Sequence, residues 1–525
     1  MSRLPETLRL VLAFGAGVIA VAGFAPLHLW PLLVASLAAL FALWFEARSK
    51  RRAALYGFCW GMGFFLTGVS WLYVSLHEFG NMPAPLAALA ILLFCAYLSL
   101  FPLLAGLLTR RLQAQLPSFP LLILLGVMPA LFVLTEYLRG WFLSGFPWLI
   151  VGNSQTPGGL LGGPLAGFAP IVGVFGISWL MALSAAAIVC CIPHLAALTV
   201  PRLPRLPRLS RLRQLGIAAI VIVTWVGGIA LQWVPWSVPS GAPVRAALLQ
   251  GNIPQAAKWR ADERAATLDA YLGMVKSTQA KLIVLPETAL PTFMDEVPRD
   301  YLNALKEHAE QNGGDLIVGV PFAQRLMPSA PLYSYYNSAV SLGVSPSQRY
   351  DKQHLVAFGE FMPPAFSWVY QWLKIPLAGF TPGAQNQASM RVAGHRVAIN
   401  ICYEDVFGDE IRRPLPDAEL LVNVSNMAWY GRSLAADQHA QFSQMRALET
   451  SRWMLRATNT GVTAAINERG EIIRALPQFT RAVLEIDAQP RQGITPFVRW
   501  GDCPVLLGIA IMLIGVAFFA RKSRA

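Results

Sequence analysis

Long apolar runs constrain this chain more than any other feature. Of its 525 residues, 55% are hydrophobic and only 14% are charged, whereas about 25% are charged in ordinary soluble domains. A helix that crosses the hydrocarbon layer needs roughly 20 mostly apolar residues, and eight stretches approach that length. These stretches are Leu8–Phe24, Leu29–Phe45, Ala54–Leu76, Leu86–Leu108, Leu121–Leu138, Ile171–Ile192, Leu215–Val234 and Pro504–Ala520. The pattern predicts a multi-pass membrane protein with seven spans before one long polar stretch and an eighth span after it.

The basic residues predict the orientation of these spans. Lys and Arg in short loops tend to stay in the cytoplasm, and the short loops of the opposite set carry only Arg139. The basic clusters are Met1–Arg9, Arg48–Arg52, Arg110–Gln115, Pro201–Arg213 and the tail from Arg521. We therefore expect the polar stretch outside the cytoplasm. These clusters also account for the net charge of +13, so we expect no nucleic-acid partner.

This topology divides the chain into three predicted regions. They are a seven-helix transmembrane region at 1–235, an extracytoplasmic domain at 236–500, and an eighth transmembrane helix with a basic cytoplasmic tail at 501–525. Leu10–Ala25 also resembles the apolar core of a cleaved signal peptide. Pro26 disfavours cleavage there, and removal of this segment would leave the topology of the remaining spans unchanged.

Strand-like and helix-like patterns alternate in the polar region, which predicts an α/β fold. The short apolar runs of strand length are Arg245–Gln250, Lys281–Leu285, Asp315–Val320, Arg396–Ile401, Leu420–Val424 and Val462–Ile466. The helical stretches between them include Ala261–Gln279, Val297–Gln311 and Asp437–Met454. A region of this length is large enough for one sizeable core.

One cysteine, Cys402, lies in the polar region, and the other five lie in or beside predicted spans. A disulfide within the domain is therefore excluded, and a lone cysteine is either a buried small hydrophobe or a reactive thiol. Cys402 follows the strand-like run RVAINI and precedes Tyr403, Glu404 and Asp405. Because α/β folds place reactive groups where a strand ends in a polar turn, this context favours a nucleophile.

Two other polar segments supply the groups that a thiol nucleophile needs. Glu287 ends the run KLIVLPE, and Lys352 and Glu360 lie in YDKQHLVAFGEF. A carboxylate accepts the proton that the thiol must lose before it attacks a carbonyl carbon. An ammonium group or a backbone N–H stabilises the oxyanion that then forms. Taken singly, each of these residues could be an ordinary surface charge.

Three motifs carry a family resemblance. The segments LPE at Leu285–Glu287, DKQHLVAFGE at Asp351–Glu360 and ICYED at Ile401–Asp405 resemble the three catalytic motifs of the nitrilase superfamily. The chain is similar in detail to a membrane branch of that superfamily, the apolipoprotein N-acyltransferases. The supporting segments are QGNIPQAAKW at Gln250–Trp259, NVSNMAWYG at Asn423–Gly431 and EYLRGWFLSGFPW at Glu136–Trp148.

The resemblance implies a helical domain in the bacterial cytoplasmic (inner) membrane and a nitrilase-like αββα sandwich at 236–500 as the periplasmic catalytic domain. It also implies a two-step acyl transfer without cofactor. It implies that Cys402 takes an acyl chain from a phospholipid and passes it, through a thioester, to the α-amine of a diacylated apolipoprotein. It further implies Glu287 as general base, Lys352 as oxyanion stabiliser and Glu360 as the residue that supports this lysine. The residues that would line the substrate site are Trp259, Tyr403, Glu404 and Trp429; for the two tryptophans, ordinary core packing is an equal alternative.

An amidase and a transporter are the alternatives to acyl transfer. A membrane-tethered, nitrilase-like amidase acting on a soluble amide would use the same cysteine, glutamate and lysine. His354, His395 and His439 could in principle pair with Cys402, although no motif fixes such a pairing. A transporter is disfavoured because the predicted spans hold almost no ionisable residues. Neither a metal-ligand motif nor a phosphate-binding loop occurs, so we expect no metal.

The segment Phe361–Phe380 is unusually aromatic for a solvent-facing loop. It contains Phe361, Phe366, Trp368, Tyr370, Trp372 and Phe380. Because Trp and Tyr favour the membrane interface, one hypothesis is a lid that rests on the outer leaflet. The alternative is that these rings pack in the core of the domain.

Overall fold

The computed structural model describes residues 5–191, 210–327, 330–363 and 379–522. The chain forms two compact units. One comprises Met1–Tyr73, Ala84–Val234 and Trp500–Ala525, and the other comprises Val74–Pro83 and Pro235–Arg499.

The first unit is helical. Six helices in the described part of the chain are long and apolar enough to cross a membrane: Glu6–Gly23, Ala84–Gln115, Leu122–Arg139, Ala166–Cys191, Arg211–Leu231 and Cys503–Lys522. A bent pair, Lys50–Val69 followed by Leu72–Phe79, makes up to seven. The second predicted span corresponds to the shorter apolar helix Trp30–Glu46, of 17 residues. Each of the eight predicted spans therefore overlaps one of these helices or the bent pair, and the number of membrane crossings stays a prediction.

Glycines let these helices approach closely. A side chain at Gly17 would place its Cβ 2.0 Å from the Trp60 carbonyl oxygen, and one at Gly57 would lie 2.2 Å from that of Pro102. Small residues at helix contacts are typical of packing in a membrane, where no hydrophobic effect drives helices together.

The segment EYLRGWFLSGFPW forms a helix end and the loop that returns from it. Arg139 is buried and donates hydrogen bonds to the carbonyl oxygens of Phe146 and Trp148, each at 2.6 Å. Glu136 accepts a hydrogen bond from the Val151 amide at 2.7 Å. These two ionisable side chains therefore satisfy backbone groups of the loop, which would otherwise be costly to bury.

Within its described residues, the second unit contains a two-stranded sheet of Val238–Pro239 and Arg491–Gln492. Its other twelve strands form two larger sheets and are accompanied by three long helices. In chain order these elements are β1 (Val244–Gln250), α1 (Arg264–Lys276), β2 (Leu282–Val284), α2 (Arg299–Gln311), β3 (Asp315–Met327), β4 (Ala330–Gly343), β5 (Arg349–Asp351), β6 (Met390–Val392), β7 (His395–Ile401), β8 (Leu420–Ser425), α3 (Ala435–Thr450), β9 (Met454–Thr458), β10 (Ala464–Ile466), β11 (Ile472–Ala475) and β12 (Ala482–Ala488).

The strands form two six-stranded sheets that pack face to face. Their orders are β12-β1-β2-β3-β4-β5 and β11-β10-β9-β8-β7-β6. The central strands β1, β2 and β3 are parallel, as are β7, β8 and β9. One apolar core joins side chains such as Leu248 and Val284 of the first sheet to Ile399 and Val422 of the second. A second core joins the other face of the first sheet to α1 and α2, so this unit is the expected αββα sandwich.

One predicted helix of this unit ends earlier than expected, and one predicted segment lies mostly outside the described residues. The predicted helix Asp437–Met454 is instead α3, which ends at Thr450, and Met454 already begins β9. The helix stops because Ser451 adopts a left-handed conformation with φ of +52°, a common way for a helix to end. Most of the aromatic segment falls outside the described residues, including Trp368 and Trp372, so both hypotheses about it stay predictions.

Candidate active site

The three motif residues Glu287, Lys352 and Cys402 follow strand ends on the two facing sheets. Glu287 lies three residues beyond β2, Lys352 directly follows β5, and Cys402 directly follows β7. The Lys352 ammonium Nζ lies 3.4 Å from Glu287 Oε1 and 2.9 Å from Glu360 Oε1. The fold therefore brings together one amine and two carboxylates that are separated along the chain.

The Cys402 thiol rests in its protonated form. Burial raises its pKa well above the ordinary range, and the negative charge of Glu287 adds to this effect, while Lys352 opposes it. These interactions place the thiol within the field of the charged cluster. Since the nucleophile is the thiolate, chemistry at this thiol requires a base.

Glu287 is held as a hydrogen-bond acceptor on both oxygens. Its Oε1 accepts a hydrogen bond from Asn337 Nδ2 at 2.8 Å, and its Oε2 accepts one from the Asn426 amide at 2.9 Å. The side chain is 9% exposed. A buried carboxylate oriented by two donors is suited to accept a proton.

The surroundings of Lys352 favour its charged form. Burial opposes the charge, but Glu360 and Glu287 outweigh it and hold the pKa of Lys352 well above its usual value. Glu360 is itself fixed, because its Oε2 accepts a hydrogen bond from the Val356 amide at 2.8 Å. Such a fixed ammonium is suited to stabilise a developing oxyanion.

The residues beside Cys402 point in different directions. Glu404 is fully buried, and its carboxylate accepts hydrogen bonds from the Ile401 and Gln353 amides, each at 2.6 Å, and from the Tyr350 hydroxyl at 3.0 Å. Burial raises the pKa of Glu404 to about 8. The half-buried Tyr403 packs edge-on against Phe407, with ring centroids 5.2 Å apart. Glu404 therefore braces the turn that carries the thiol.

Both candidate tryptophans are half-buried. The indole nitrogen of Trp259 is buried and has no hydrogen-bond partner among the described residues. The ring of Trp429 meets that of Phe79 edge to face at 6.0 Å. Neither observation separates a substrate-lining role from core packing, so both alternatives stay open.

Two residues of this site, Asn337 and Lys258, were not predicted from the sequence. Asn337 on β4 donates hydrogen bonds through Nδ2 to both Glu287 and Glu360, each at 2.8 Å. Lys258 donates from Nζ to the main-chain oxygen of Glu287 at 3.1 Å. Lys258 belongs to the QGNIPQAAKW segment, so this motif could have indicated it. Asn337 lies in an unremarkable strand, and only the sheet places it here.

The three histidines have other partners. His354 stacks on Phe407 with ring centroids 3.7 Å apart, and His395 lies 3.4 Å from Glu419. His439 Nε2 is 3.1 Å from the main-chain oxygen of Cys402. Among the contacts described, His439 thus reaches the main chain of the cysteine.

Two family models match parts of this chain. Residues 16–187 match the family model of the apolipoprotein N-acyltransferase N-terminal domain. Residues 245–493 match that of the carbon-nitrogen hydrolases.

Several relatives match over nearly their whole length. The apolipoprotein N-acyltransferase of Nitrosomonas europaea is 47% identical, over 98% of this chain and 98% of its own. That of Methylococcus capsulatus is 43% identical, over 98% of this chain and 97% of its own. Among solved structures, a mutant of Nesterenkonia AN1 amidase from the nitrilase superfamily covers 50% of this chain and 95% of its own, at 17% identity and a TM-score of 0.35. That score is too low to support an inference.

Proposed function

Because this chain belongs to the apolipoprotein N-acyltransferase family, we propose that it moves a fatty acyl chain from a phospholipid to a lipoprotein. The acceptor is the α-amine of the N-terminal S-diacylglyceryl cysteine. The observation that carries this proposal is the buried contact of Lys352 with Glu287 and Glu360 beside the Cys402 thiol, on a chain with several membrane-length helices.

The first half-reaction forms a thioester on Cys402. Glu287 takes the thiol proton, and the sulfur attacks the ester carbonyl carbon of the phospholipid. The Lys352 ammonium stabilises the resulting oxyanion. When the tetrahedral intermediate collapses, the bond to the glycerol oxygen breaks. That oxygen receives the proton from Glu287, and a lysophospholipid leaves.

The second half-reaction reuses the same groups. The neutral α-amine of the acceptor attacks the thioester carbonyl carbon and gives a proton to Glu287. The oxyanion again forms next to Lys352. Collapse breaks the carbon–sulfur bond, the amide leaves, and the departing thiolate recovers a proton from Glu287. The enzyme returns to its starting protonation state, as a ping-pong cycle requires.

The remaining site residues have supporting roles in this proposal. Glu360 holds Lys352 charged and in place through its 2.9 Å contact. Tyr403 and Glu404 shape the wall of the site next to the thiol. Trp259 and Trp429 bound the entrance for the acyl chain, since half-buried aromatic rings offer apolar surface without being locked in the core.

We also propose the membrane arrangement indicated by the basic loops. Residues 1–235 form the transmembrane region of the bacterial inner membrane, residues 236–500 the periplasmic catalytic domain, and residues 501–525 the last span and cytoplasmic tail. The support is the concentration of Lys and Arg in alternate short loops, since such residues favour the cytoplasm.

Intact-mass measurement tests the proposal against the amidase alternative. Protein purified with phospholipid should carry a fatty-acyl mass on Cys402 that hydroxylamine removes. Cys402→Ala should lack this mass, and Cys503→Ala, which changes an exposed cysteine in a membrane helix, should keep it. Release of ammonia from a soluble amide, with no acyl adduct, would instead identify an amidase.

A further inference from the structure

A second polar cluster lies beneath Cys402, apart from the Glu287–Lys352–Glu360 contacts. Its members come from four elements and are at most 1% exposed: Asp405, Asn423, His439, Ser443 and Arg456. Asp405 is in the turn after Cys402, Asn423 on β8, His439 and Ser443 on α3, and Arg456 on β9. Buried polar groups of this kind are stable only when they are hydrogen-bonded to one another.

The contacts fix the protonation state of His439. Arg456 Nη2 lies 2.8 Å from His439 Nδ1, and a guanidinium group only donates. Nδ1 must therefore be the acceptor, and Nε2 carries the ring hydrogen. Burial and the charge of Arg456 lower the pKa of His439, which agrees with a neutral ring.

The same contacts orient Asn423. Its Oδ1 accepts hydrogen bonds from Arg456 Nη1 at 2.9 Å and from the Ser425 hydroxyl at 2.6 Å. Its Nδ2 then donates to Asn400 Oδ1 at 2.5 Å and to the Cys402 carbonyl oxygen at 3.1 Å. Arg456 thus sets the orientation of both side chains, and Asp405 anchors Arg456 at 3.0 Å.

Both oriented donors meet on one atom. The Cys402 carbonyl oxygen accepts from Asn423 Nδ2 and from His439 Nε2, each at 3.1 Å, and His439 shares its hydrogen with Asp405 at 2.7 Å. Cys402 has a φ of +54°, a left-handed conformation that is costly for a residue with a side chain and persists only where its surroundings impose it. The two hydrogen bonds supply that constraint.

We propose that Asn423 and His439, oriented by Arg456, are positioning residues that hold the main chain of Cys402 in the turn from which its thiol reacts. The proposal rests on Cys402 being the nucleophile of the proposed function. The contacts described between these two residues and Cys402 are with its carbonyl oxygen, so we assign them a positioning role. Their effect reaches the chemistry through the geometry of the cysteine.

Two substitutions separate the hydrogen bonds from simple packing. Asn423→Asp keeps the shape and the acceptor for Arg456, but replaces the donor to Cys402 with a second acceptor. His439→Leu removes the other donor, whereas His439→Gln offers both an N–H for Cys402 and a carbonyl for Arg456. The matched control is Gln444→Met on the same helix, which removes a buried hydrogen bond to the Gly470 carbonyl oxygen at 2.8 Å.

The measurements are the rate of Cys402 alkylation by iodoacetamide against pH, read on the Cys402 peptide by mass spectrometry, and the kcat and KM of phospholipid-dependent acylation. Positioning predicts that Asn423→Asp and His439→Leu lower kcat by about 100-fold, as small misplacements of a reacting group do, with KM unchanged. The pH profile of alkylation should change in the same variants. His439→Gln should recover most of the activity, and Gln444→Met should match the wild type in both readouts.

Wild-type alkylation and kcat in a folded Asn423→Asp protein would overturn the proposal, as would losses no larger than those of Gln444→Met at equal melting temperature. If His439→Leu fails to fold, the isosteric Asn423→Asp and the conservative His439→Gln decide the question. A different result would contradict the proposed function, namely acyl transfer by the Cys402→Ala variant. The alkylation readout does not depend on that result.

Discussion

Lys258 Nζ donates a hydrogen bond to the main-chain oxygen of Glu287 at 3.1 Å. The site therefore contains two buried lysines whose pKa values are shifted in opposite directions. Lys352 has two carboxylate partners and stays charged, whereas burial lowers the pKa of Lys258 to about 8, against the opposing charge of Glu287. Protonated Lys258 therefore destabilises the folded protein. We infer that this lysine is retained for its contact with the proposed base, Glu287.

The first prediction concerns the stability cost of Lys258. Its folded pKa of about 8 lies below the ordinary 10.5, so the unfolded chain binds more protons between these values. The destabilisation is therefore full below about pH 8 and declines as the pH rises towards 10.5. Its size is about 3 kcal/mol at neutral pH, from 1.36 kcal/mol per pKa unit. Relative to wild type, Lys258→Met should gain melting temperature at pH 7 and lose most of that gain at pH 10.

The matched control for this prediction is Lys276→Met, which changes an exposed lysine at the end of α1. Its melting temperature should track that of the wild type at both pH values. A melting-temperature difference for Lys258→Met that is the same at pH 7 and pH 10 would contradict a lowered pKa.

The second prediction concerns the nucleophile. Cys402→Ala should abolish both half-reactions, because loss of the nucleophile costs about a million-fold in kcat in a serine protease. Cys402→Ser should retain at most a trace, since its alkoxide is far harder to form. The measurement is N-acylation of a diacylated lipopeptide by membranes that contain each variant. Acylation by Cys402→Ala membranes at the wild-type rate would show that another group is the nucleophile.

The third prediction separates the base from the oxyanion stabiliser. Glu287→Gln should reduce acyl-enzyme formation by about 100- to 10,000-fold, the range for removal of a general base. Lys352→Ala should slow both half-reactions by about 100- to 1,000-fold, because each passes through an oxyanion. Quench-flow mass spectrometry of the thioester, followed by addition of acceptor, measures the two steps separately. Normal thioester formation and discharge in both variants would exclude these roles.

The fourth prediction concerns the pH range over which Lys352 stays charged. Glu360 is the larger of the two charges that raise the pKa of Lys352, so Glu360→Gln should lower that pKa. Activity that needs the ammonium should then disappear at a lower pH on the alkaline side than in the wild type. The variant should also lose about 1.5–3 kcal/mol of stability at neutral pH, the usual worth of a hydrogen bond to a charged group. Wild-type Lys352 contributes this stability below its unfolded pKa and loses it only as the pH rises through the higher folded pKa.

The control is Glu310→Gln, which removes a surface carboxylate 3.5 Å from Lys306. An exposed ion pair contributes little, so both the pH profile and the stability should stay as in the wild type. An unchanged alkaline limb in Glu360→Gln would mean that Glu287 alone keeps Lys352 charged.

The fifth prediction concerns topology. A reporter that is active only in the periplasm should be active when fused after Trp236 and silent when fused after Arg205, because the basic segment between these points favours the cytoplasm. The reverse pair of results would overturn the orientation, whatever the chemistry of the site.

The sequence by itself determined the parts of this protein that depend on local pattern. Hydropathy runs of about 20 residues specify membrane helices, because every backbone polar group in lipid must be satisfied within the segment. The eight predicted spans overlap six long apolar helices, one bent pair and one helix of 17 residues, although hydropathy does not register the bend after Val69. Glu287, Lys352 and Cys402 could be predicted from short motifs because each lies within three residues of a strand end. Glu360 belongs to the same motif as Lys352.

Only the tertiary structure decided which side chains support that site. Asn337 bridges Glu287 and Glu360 because β4 pairs with β5, and no local pattern in β4 announces this contact. His439 and Arg456 are seventeen residues apart and come from a helix and a strand, yet together with Asn423 they orient the backbone of Cys402. A buried hydrogen bond joins groups that are distant along the chain, so its existence is a property of the packed sheets and helices and is invisible to periodicity.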